Sequence, residues 1–229
     1  MARLSEAYVQ RHAQQYLERH YCRFKRRKRY FSEIEVVTKR KYGGKRADGL
    51  LVYKKWSGGA YVVSMEAKSH KTLPAIRPEL DWRRWLRNCV LFFCCILLLV
   101  FLFGTYFYQS TGLYQWLIPL NFALIAALAY GYFTRKSYRH LTVRVVKQLA
   151  QYPANEQWLA FSDDSFFALR RPKQRALARI CRYRGIGILL VGQGGRIDVL
   201  HTPLRRFRFW RDFVQYYRKE KEIRGRLRS

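Results

Sequence analysis

One short stretch of the 229-residue sequence places a carboxylate and an ammonium two residues apart. The stretch is YVVSMEAKSH, Tyr61 to His70, and its first residues are typical of a buried β-strand. Because alternate side chains of a strand point to the same face, Glu66 and Lys68 share one face. An edge-strand ion pair would explain that spacing without any function. Whether the pair is structural or chemical depends on the residues that lie opposite it.

A second strand, in RADGLLVYKK, precedes this stretch and carries Asp48. The turn between the two strands is centred near Ser57, so a tight hairpin places Asp48 almost opposite Glu66. Directly paired residues have Cβ atoms about 4.5 to 5.5 Å apart, and two carboxylates that close repel unless a cation separates them or one is protonated. Mg²⁺, or alternatively Mn²⁺, meets that need with oxygen ligands from Asp48 and Glu66. Lys68 can then stabilise the charge that develops on an attacked phosphate.

These residues resemble the pattern of the PD-(D/E)XK nuclease superfamily. The resemblance consists of an N-terminal helix, Asp48 on one strand and EAK, Glu66 to Lys68, on the next, although Ala47 replaces the Pro of the superfamily's name. It implies an α/β restriction-endonuclease-like core with the order α-β-β-β-α-β. It also implies that Asp48 and Glu66 bind the catalytic metal, and that Lys68 assists the attacking water or stabilises the transition state.

Two further motifs and one strand extend the resemblance. QLAQY, Gln148 to Tyr152, resembles the QxxxY motif of one exonuclease-like branch, which makes Gln148 a candidate catalytic residue. Glu6 in the first helix resembles an additional acid of many members and is a candidate metal ligand, although the helix dipole also favours an acid there. GIGILLV, after a basic helix, is similar to a strand of type IV restriction endonucleases and of membrane-associated nuclease-related domain proteins.

An apolar block separates Lys68 from Gln148. Residues 89–108, CVLFFCCILLLVFLFGTYFY, carry no charge and are long enough for a helix to cross a hydrocarbon core of roughly 30 Å. A second span is expected at about 116–133. The connector has no Lys or Arg, whereas WRRWLR precedes the block and TRKSYRH follows it, so the positive-inside rule places both flanks in the cytoplasm. We expect a two-helix transmembrane hairpin in residues 82–137; a buried soluble hairpin is the alternative.

The two flanks are expected to form one α/β domain interrupted by the hairpin, because neither half has enough strands for a stable sheet alone. Residues 1–81 supply a helix that Ser5 can cap and three strands. Residues 138–204 supply a helix over 139–152, a short strand, a basic helix over 172–184 and two closing strands. Residues 205–229 are expected to form a basic, aromatic-rich C-terminal helix.

The charge of the chain is strongly positive. Lys and Arg number 45 against 15 Asp and Glu, which gives a formal net charge of +30 spread along both flanks. DNA phosphates and anionic lipid headgroups are therefore the natural partners. The basic aromatic segment near the C-terminus suits either of them. The candidates for nucleic-acid contact are Lys173, Arg175, Arg205, Arg206, Arg208 and Arg211.

The predicted function is that of an Mg²⁺-dependent endonuclease in a bacterial inner membrane, multi-pass, with both termini in the cytoplasm. Its substrate is expected to be DNA at the cytoplasmic face, and foreign DNA by analogy with restriction enzymes. The expected partners are DNA, membrane lipids and a second copy or another membrane subunit. One alternative is a non-catalytic anchor that binds nucleic acid or a protein through a nuclease-like fold. Another is an oligomeric membrane protein whose basic domains bind anionic lipid.

Overall fold

The computed structural model describes residues 3–23, 29–55, 58–107, 114–204 and 211–228. The chain divides into two compact units. The core unit comprises Met1–Pro78 and Val143–Ser229, and the helical unit comprises Glu79–Thr142. The core unit contains a six-stranded mixed sheet with helices, so the predicted α/β class is confirmed.

The elements are numbered in chain order. The strands of the core unit are β1 (Tyr30–Val37), β2 (Arg46–Lys54), β3 (Ala60–Lys68), β6 (Glu156–Ser162), β7 (Gly187–Val191) and β8 (Ile197–His201). Its helices are α1 (Glu6–Glu18), α2 (Leu73–Ile76), α5 (Arg144–Leu149), α6 (Asp163–Phe167), α7 (Arg171–Arg184) and α8 (Glu220–Arg228). The helical unit contains β4 (Glu79–Leu80), α3 (Trp82–Phe107), α4 (Tyr114–Thr134) and β5 (Leu141–Thr142).

Helix α1 begins at the predicted cap. The hydroxyl of Ser5 accepts a hydrogen bond from the backbone N–H of Tyr8 at 3.2 Å, which satisfies one of the donors that a helix start leaves free. Val9, Ala13 and Leu17 recur at four-residue spacing and are buried against the sheet. The predicted N-terminal helix and its cap are therefore confirmed.

The sheet joins the two flanks of the chain in the order β1-β2-β3-β6-β7-β8. β1, β2 and β3 are antiparallel neighbours, whereas β3, β6 and β7 are parallel. β2 pairs with β3 from Gly49 opposite Met65 to Lys54 opposite Ala60. If this register is continued by one residue beyond the Gly49–Met65 pair, Asp48 lies opposite Glu66. The register predicted from the sequence is confirmed.

The two faces of the sheet have separate cores. Val63 and Met65 of β3 pack with α1, whereas Val62 packs with residues of α8 on the opposite face. Because side chains alternate along a strand, Glu66 and Lys68 belong to the face that α1 does not cover. The order of elements around them is α1, β1, β2, β3, α5 and β6.

The C-terminal segment is not one continuous helix, so the prediction for residues 205–229 is wrong for residues 211–219; residues 205–210 lie outside the described ranges. Tyr217 forms a β-bridge with Thr38, and the N–H of Lys39 donates to the carbonyl of Tyr216 at 2.8 Å. These backbone groups are committed to the end of β1 and cannot also complete a helix. The Asp212 carboxylate accepts from the N–H of Val214 at 2.9 Å, and α8 begins only at Glu220.

In the helical unit, α3 and α4 pack against each other. The indole Nε1 of Trp85 donates to the carbonyl of Gly131 at 3.1 Å, and the rings of Phe92 and Tyr130 stack at 4.5 Å. β4 pairs with β5, and α5 is therefore shorter than the predicted 139–152, beginning at Arg144 and ending at Leu149.

The described residues contain one helix that is long and apolar enough to cross a membrane. It is Trp82–Phe103, with a mean hydropathy of 2.6 and none of its apolar window buried. Pro119–Thr134 is a shorter apolar helix. The structure therefore contains two apolar helices, but it does not show a pair of membrane spans, and the transmembrane hairpin stays a proposal.

Gly49 permits the close approach of α1 to β2, and this leads to a prediction about stability. A Cβ at Gly49 would overlap the side-chain amide of Gln14 and lie 2.7 Å from Cε of Met65. We expect Gly49→Ala to reduce the free energy of unfolding by about 1 to 3 kcal/mol, because the buried side chains of Gln14 and Met65 have to move and the hydrogen bond from Gln14 to the carbonyl of Leu50 is lost. Thermal unfolding of the full chain in detergent measures the effect as a lower Tm.

The matched control is Gly225→Ala in α8, where an added Cβ meets no atom within 4 Å. Alanine is the better helix former, so this variant should keep or raise the Tm. Equal Tm values for Gly49→Ala and the wild type would contradict the packing argument.

Candidate active site

Three carboxylates converge on the ammonium of Lys68. Its Nζ lies 2.7 Å from Oε1 of Glu66, 3.4 Å from Oε1 of Glu6 and 3.8 Å from Oδ2 of Asp48. Glu66 is fully buried, and only 7% of Lys68 is exposed. The predicted acids and the predicted lysine therefore lie together, although they come from α1, β2 and β3.

Side-chain amides of α1 fix this helix over β2. The amide of Gln10 donates to the carbonyl of Asp48, and that of Gln14 donates to the carbonyl of Leu50 at 3.1 Å. On the other side, Oδ2 of Asp48 accepts from the backbone N–H of Ala67 at 2.8 Å. These contacts hold the first turn of α1, and hence Glu6, at the end of the β2–β3 hairpin.

The backbone of β1 is distorted beside the site. Glu35 lies opposite Asp48 in the β1–β2 register, takes no pair in the ladder and has a φ of 60°. Residues other than glycine adopt this left-handed conformation at a cost of order 1 to 3 kcal/mol, and such strain concentrates at functional sites. At this interruption of the β1–β2 ladder, the carbonyl of Asp48 accepts a hydrogen bond from the side-chain amide of Gln10.

The charges of the cluster shift its protonation. Burial raises the pKa of Glu66 to about 7, and the negative charge of Asp48 adds to this shift while Lys68 opposes it. Burial also raises the pKa of Asp48, against the hydrogen bond from Ala67 and the charge of Lys68. Burial lowers the pKa of Lys68, but the carboxylates of Glu66, Asp48 and Glu6 together outweigh it, so that pKa is raised. Lys68 therefore stays a cation while Glu66 gains or loses a proton near neutral pH.

The donor set is compatible with a divalent cation. Oε2 of Glu66 is buried and has no hydrogen-bond partner among the residues that the structure describes, since the nearby hydroxyl of Tyr152 donates to the carbonyl of Arg46. Within the same residues no three His, Cys, Asp or Glu side chains form a metal-binding group, and the acids of the cluster pair with Lys68. Mg²⁺ commonly uses one or two carboxylates together with waters. Asp48 and Glu66 are the residues that would hold it.

The cluster lines a pocket of about 640 Å³ whose other lining residues include cations. Two of these cations lie at and just before the start of β2, and two lie on α5. They are Lys45, Arg46, Arg144 and Lys147. We call them the rim cations. A phosphate group is attracted by the rim cations and by Lys68, whereas the carboxylates repel it unless a cation neutralises them.

Gln148 and Tyr152 line the same pocket and contact each other. The amide of Gln148 donates to the hydroxyl of Tyr152 at 3.2 Å, and this hydroxyl donates to the carbonyl of Arg46 at 2.7 Å. Burial raises the pKa of Tyr152, and the charge of Glu66 adds to the shift, so the hydroxyl stays protonated. The two motif residues thus connect α5 to the start of β2.

The candidates for nucleic-acid contact lie elsewhere. Lys173 and Arg175 are exposed on α7, and Arg211 is exposed just before the turn at Val214–Tyr216; none of the three lines the pocket. The remaining candidates lie outside the described residues; they are Arg205, Arg206 and Arg208.

Several residues of the site were not predicted. The rim cations carry no distinctive signal, because they are four of 45 Lys and Arg residues. Gln10 and Gln14 had a usable signal, since two amides four residues apart interrupt the apolar face of α1. Polar groups on a buried helix face require partners, and here the partners are backbone carbonyls beside the candidate acids.

Comparison of the chain with models of protein families, with curated proteins and with solved structures finds no match. The resemblance to the PD-(D/E)XK superfamily therefore depends on the motif residues themselves. Any function of the site has to be argued from its chemistry.

The raised pKa of Glu66 predicts a pH dependence of stability. Between its ordinary value of 4.5 and about 7, the folded protein holds a proton that the unfolded chain has released. The stabilisation is therefore complete below pH 4.5 and is lost as the pH rises through 7, and its size is on the order of 3 kcal/mol. We expect the Tm of the wild type in EDTA to fall over this range, and that of Glu66→Gln to fall less.

The control for this prediction is Glu222→Gln, which changes an exposed carboxylate of α8. It should follow the wild-type dependence on pH. A Glu66→Gln variant whose Tm changes with pH as steeply as that of the wild type would show that Glu66 is not the titrating group.

Proposed function

We propose that this chain is a metal-dependent nuclease that hydrolyses phosphodiester bonds of DNA and is anchored in a membrane by its helical unit. The observation that carries this proposal is the buried Lys68 ammonium within 4 Å of three carboxylates, in a pocket that also contains the rim cations. The rim cations favour a polyanion, and the acids favour a cation beside it. The α-β-β-β-α-β order of α1, β1, β2, β3, α5 and β6 supports a restriction-endonuclease-like core.

The chemistry follows from these residues. Mg²⁺ or Mn²⁺ held by Asp48 and Glu66 would act as a Lewis acid toward a phosphate oxygen. The ammonium of Lys68 donates hydrogen bonds to the phosphate oxygen on which negative charge grows. In hydrolysis the oxygen of water bonds to phosphorus, the ester P–O bond breaks, and the leaving oxygen takes a proton. The amide of Gln148, held by Tyr152, is a further donor within the pocket.

The membrane anchor is supported by the apolar surface of α3 and by the charges that flank the helical unit. None of the apolar window of Trp82–Phe103 is buried, so a surrounding apolar medium would cover it. WRRWLR and TRKSYRH place cations at both ends of the unit, and anionic lipids complement them. A bacterial inner membrane with both termini in the cytoplasm fits this pattern. A second copy or another membrane subunit could also pack on the exposed helices.

A second candidate function is a non-catalytic anchor that binds nucleic acid or a protein partner. It is favoured by the ion pairs of Lys68, which already neutralise much of the acid cluster without a metal. In such a protein the ion pairs of Lys68 would stabilise the fold. Its binding to nucleic acid would weaken with added salt but would not change with EDTA.

Cleavage of DNA tests the proposed site. We expect purified full-length protein to cut plasmid and linear DNA with Mg²⁺. Asp48→Asn, Glu66→Gln and Lys68→Met should each lose at least about 100-fold of the rate, as loss of a catalytic electrostatic contact does. The control is Asp198→Asn, an exposed acid of β8.

Undiminished cleavage in Glu66→Gln and Lys68→Met would refute the site. DNA binding without cleavage, unchanged by EDTA and by Asp48→Asn, would favour the non-catalytic anchor.

Membrane insertion is tested separately. We expect the chain to stay in the membrane pellet after an alkaline carbonate wash, because apolar helices within a bilayer resist extraction by high pH. Reporters that are active only in the cytoplasm should be active at both the N-terminus and the C-terminus. Release by carbonate would contradict insertion, and opposite locations of the two termini would contradict an even number of spans.

A further inference from the structure

One face of α7 consists of exposed arginines, which we call the arginine stripe. Its members are Arg171, Arg175, Arg179 and Arg182, all of them exposed. At about 100° per residue these four positions fall within an arc of roughly 80°. Leu177, Ile180 and Cys181 are buried on the opposite side of the helix. The stripe therefore faces directly away from the core of the unit.

The arginine stripe works against the stability of its own helix. Like charges three or four residues apart destabilise a helix, and the stripe contains three such neighbouring pairs. The first turn has no acid, although the helix dipole disfavours cations such as Arg171 and Lys173 there. The sequence has no Asp or Glu between Asp164 and Asp198, and within the described residues no carboxylate pairs with the stripe. Bound phosphates would relieve this repulsion.

The candidate active site lies at the edge of the sheet formed by the carboxyl ends of the parallel strands. Helices α6 and α7 connect β6 to the parallel strand β7, so the chain leaves this edge after β6 and α7 runs back toward the start of β7. Lys68, the last residue of β3, lies beside Phe161 near the same end of β6. Ligands of open α/β sheets bind outside the carboxyl ends of parallel strands.

Helix α7 and the acid cluster lie on the same face of the sheet. Leu189 and Val191 of β7 pack with α1, so Ile188 and Leu190 point to the opposite face, where α7 contacts β7. Glu66 follows Met65, which packs with α1, and it therefore also belongs to the opposite face. The acid cluster and α7 thus lie on the same face of the sheet, and Arg171 is at the end of the arginine stripe that is nearer to the edge with the acid cluster.

We infer that the arginine stripe binds the phosphate backbone of double-stranded DNA whose scissile phosphodiester occupies the pocket. This inference rests on the proposed nuclease function. From Arg171 to Arg182 the helix rises about 16 Å, which matches the axial length of about five phosphates of one strand. Guanidinium groups bind phosphate oxygens in a bidentate manner. Such contacts position the duplex without reading its sequence.

Two observations favour a duplex over other polyanions. Single strands are bound by series of aromatic side chains on which successive bases stack, whereas the one aromatic residue of α7 is Tyr183, which follows the last arginine of the stripe. Helices that lie on a bilayer insert their apolar face, but the apolar face of α7 is buried in the core through Leu177 and Ile180.

The test compares the salt dependence of duplex binding. Full-length protein in detergent is titrated with a short DNA duplex in EDTA, which prevents cleavage, between about 50 and 200 mM KCl. The logarithm of the association constant falls linearly with the logarithm of the salt concentration. Arg175→Gln/Arg179→Gln should make this negative slope shallower than that of the wild type by about 2, because two phosphate contacts are lost. The control is Arg11→Gln/Arg19→Gln, which removes two exposed cations on the other face of the sheet, one from α1 and one from the residue that follows it.

The control pair should keep the wild-type slope. An unchanged slope in the stripe variant, or an equal reduction in the control, would overturn the role of the stripe and leave the nuclease proposal standing. Wild-type protein that neither binds duplex in EDTA nor cleaves it with Mg²⁺ would overturn both. Loss of binding to vesicles that contain phosphatidylserine, with duplex binding retained, would assign the stripe to the bilayer and overturn the inference.

The Tm of each variant shows whether it is folded. If Arg175→Gln/Arg179→Gln lowers the Tm, then Arg171→Gln/Arg182→Gln makes the same comparison with the two outer arginines and the same expected change of slope.

Discussion

The ammonium of Lys68 is buried within 4 Å of carboxylates that come from three different elements. A cation in such a place costs several kcal/mol unless charges and hydrogen bonds compensate it. Compensation here requires that β2, β3 and α1 meet at one point. The amides of Gln10 and Gln14, and the missing side chain of Gly49, are the means by which α1 reaches it. The ion cluster thus depends on the packing that brings α1 to the end of the β2–β3 hairpin.

The same cluster sets the electrostatics of the pocket. Its carboxylates form a negative region beside the rim cations, so one pocket presents both signs of charge. A phosphate alone meets repulsion from the acids, and a divalent cation alone meets repulsion from Lys68 and the rim cations. A phosphate and a cation together satisfy both regions. This mutual requirement is what supports the proposal of a phosphodiester substrate with a divalent ion.

The β2–β3 hairpin could be predicted from the sequence because its rules are local: strand alternation and a short turn fix the register that puts Asp48 across from Glu66. The acids of the site could be found because the sequence contains so few acids. The structure of the C-terminal segment could not be predicted, since Tyr217 pairs with Thr38, which is distant along the chain, and no nearby residue signals that bridge. The rim cations could not be found either, because in a chain this basic the type of residue does not distinguish those that line the pocket.

The parallel pairing of β3 with β6 joins a segment that precedes the helical unit in the sequence to one that follows it. Synthesis runs from the N-terminus, so Glu66 and Lys68 leave the ribosome long before their neighbours on β6, and before Gln148 and Tyr152. A contact so distant in sequence also closes slowly. The site is therefore complete only after both apolar helices have been synthesised. If the proposed function holds, the order of synthesis itself delays hydrolysis until the segment proposed as the anchor has left the ribosome.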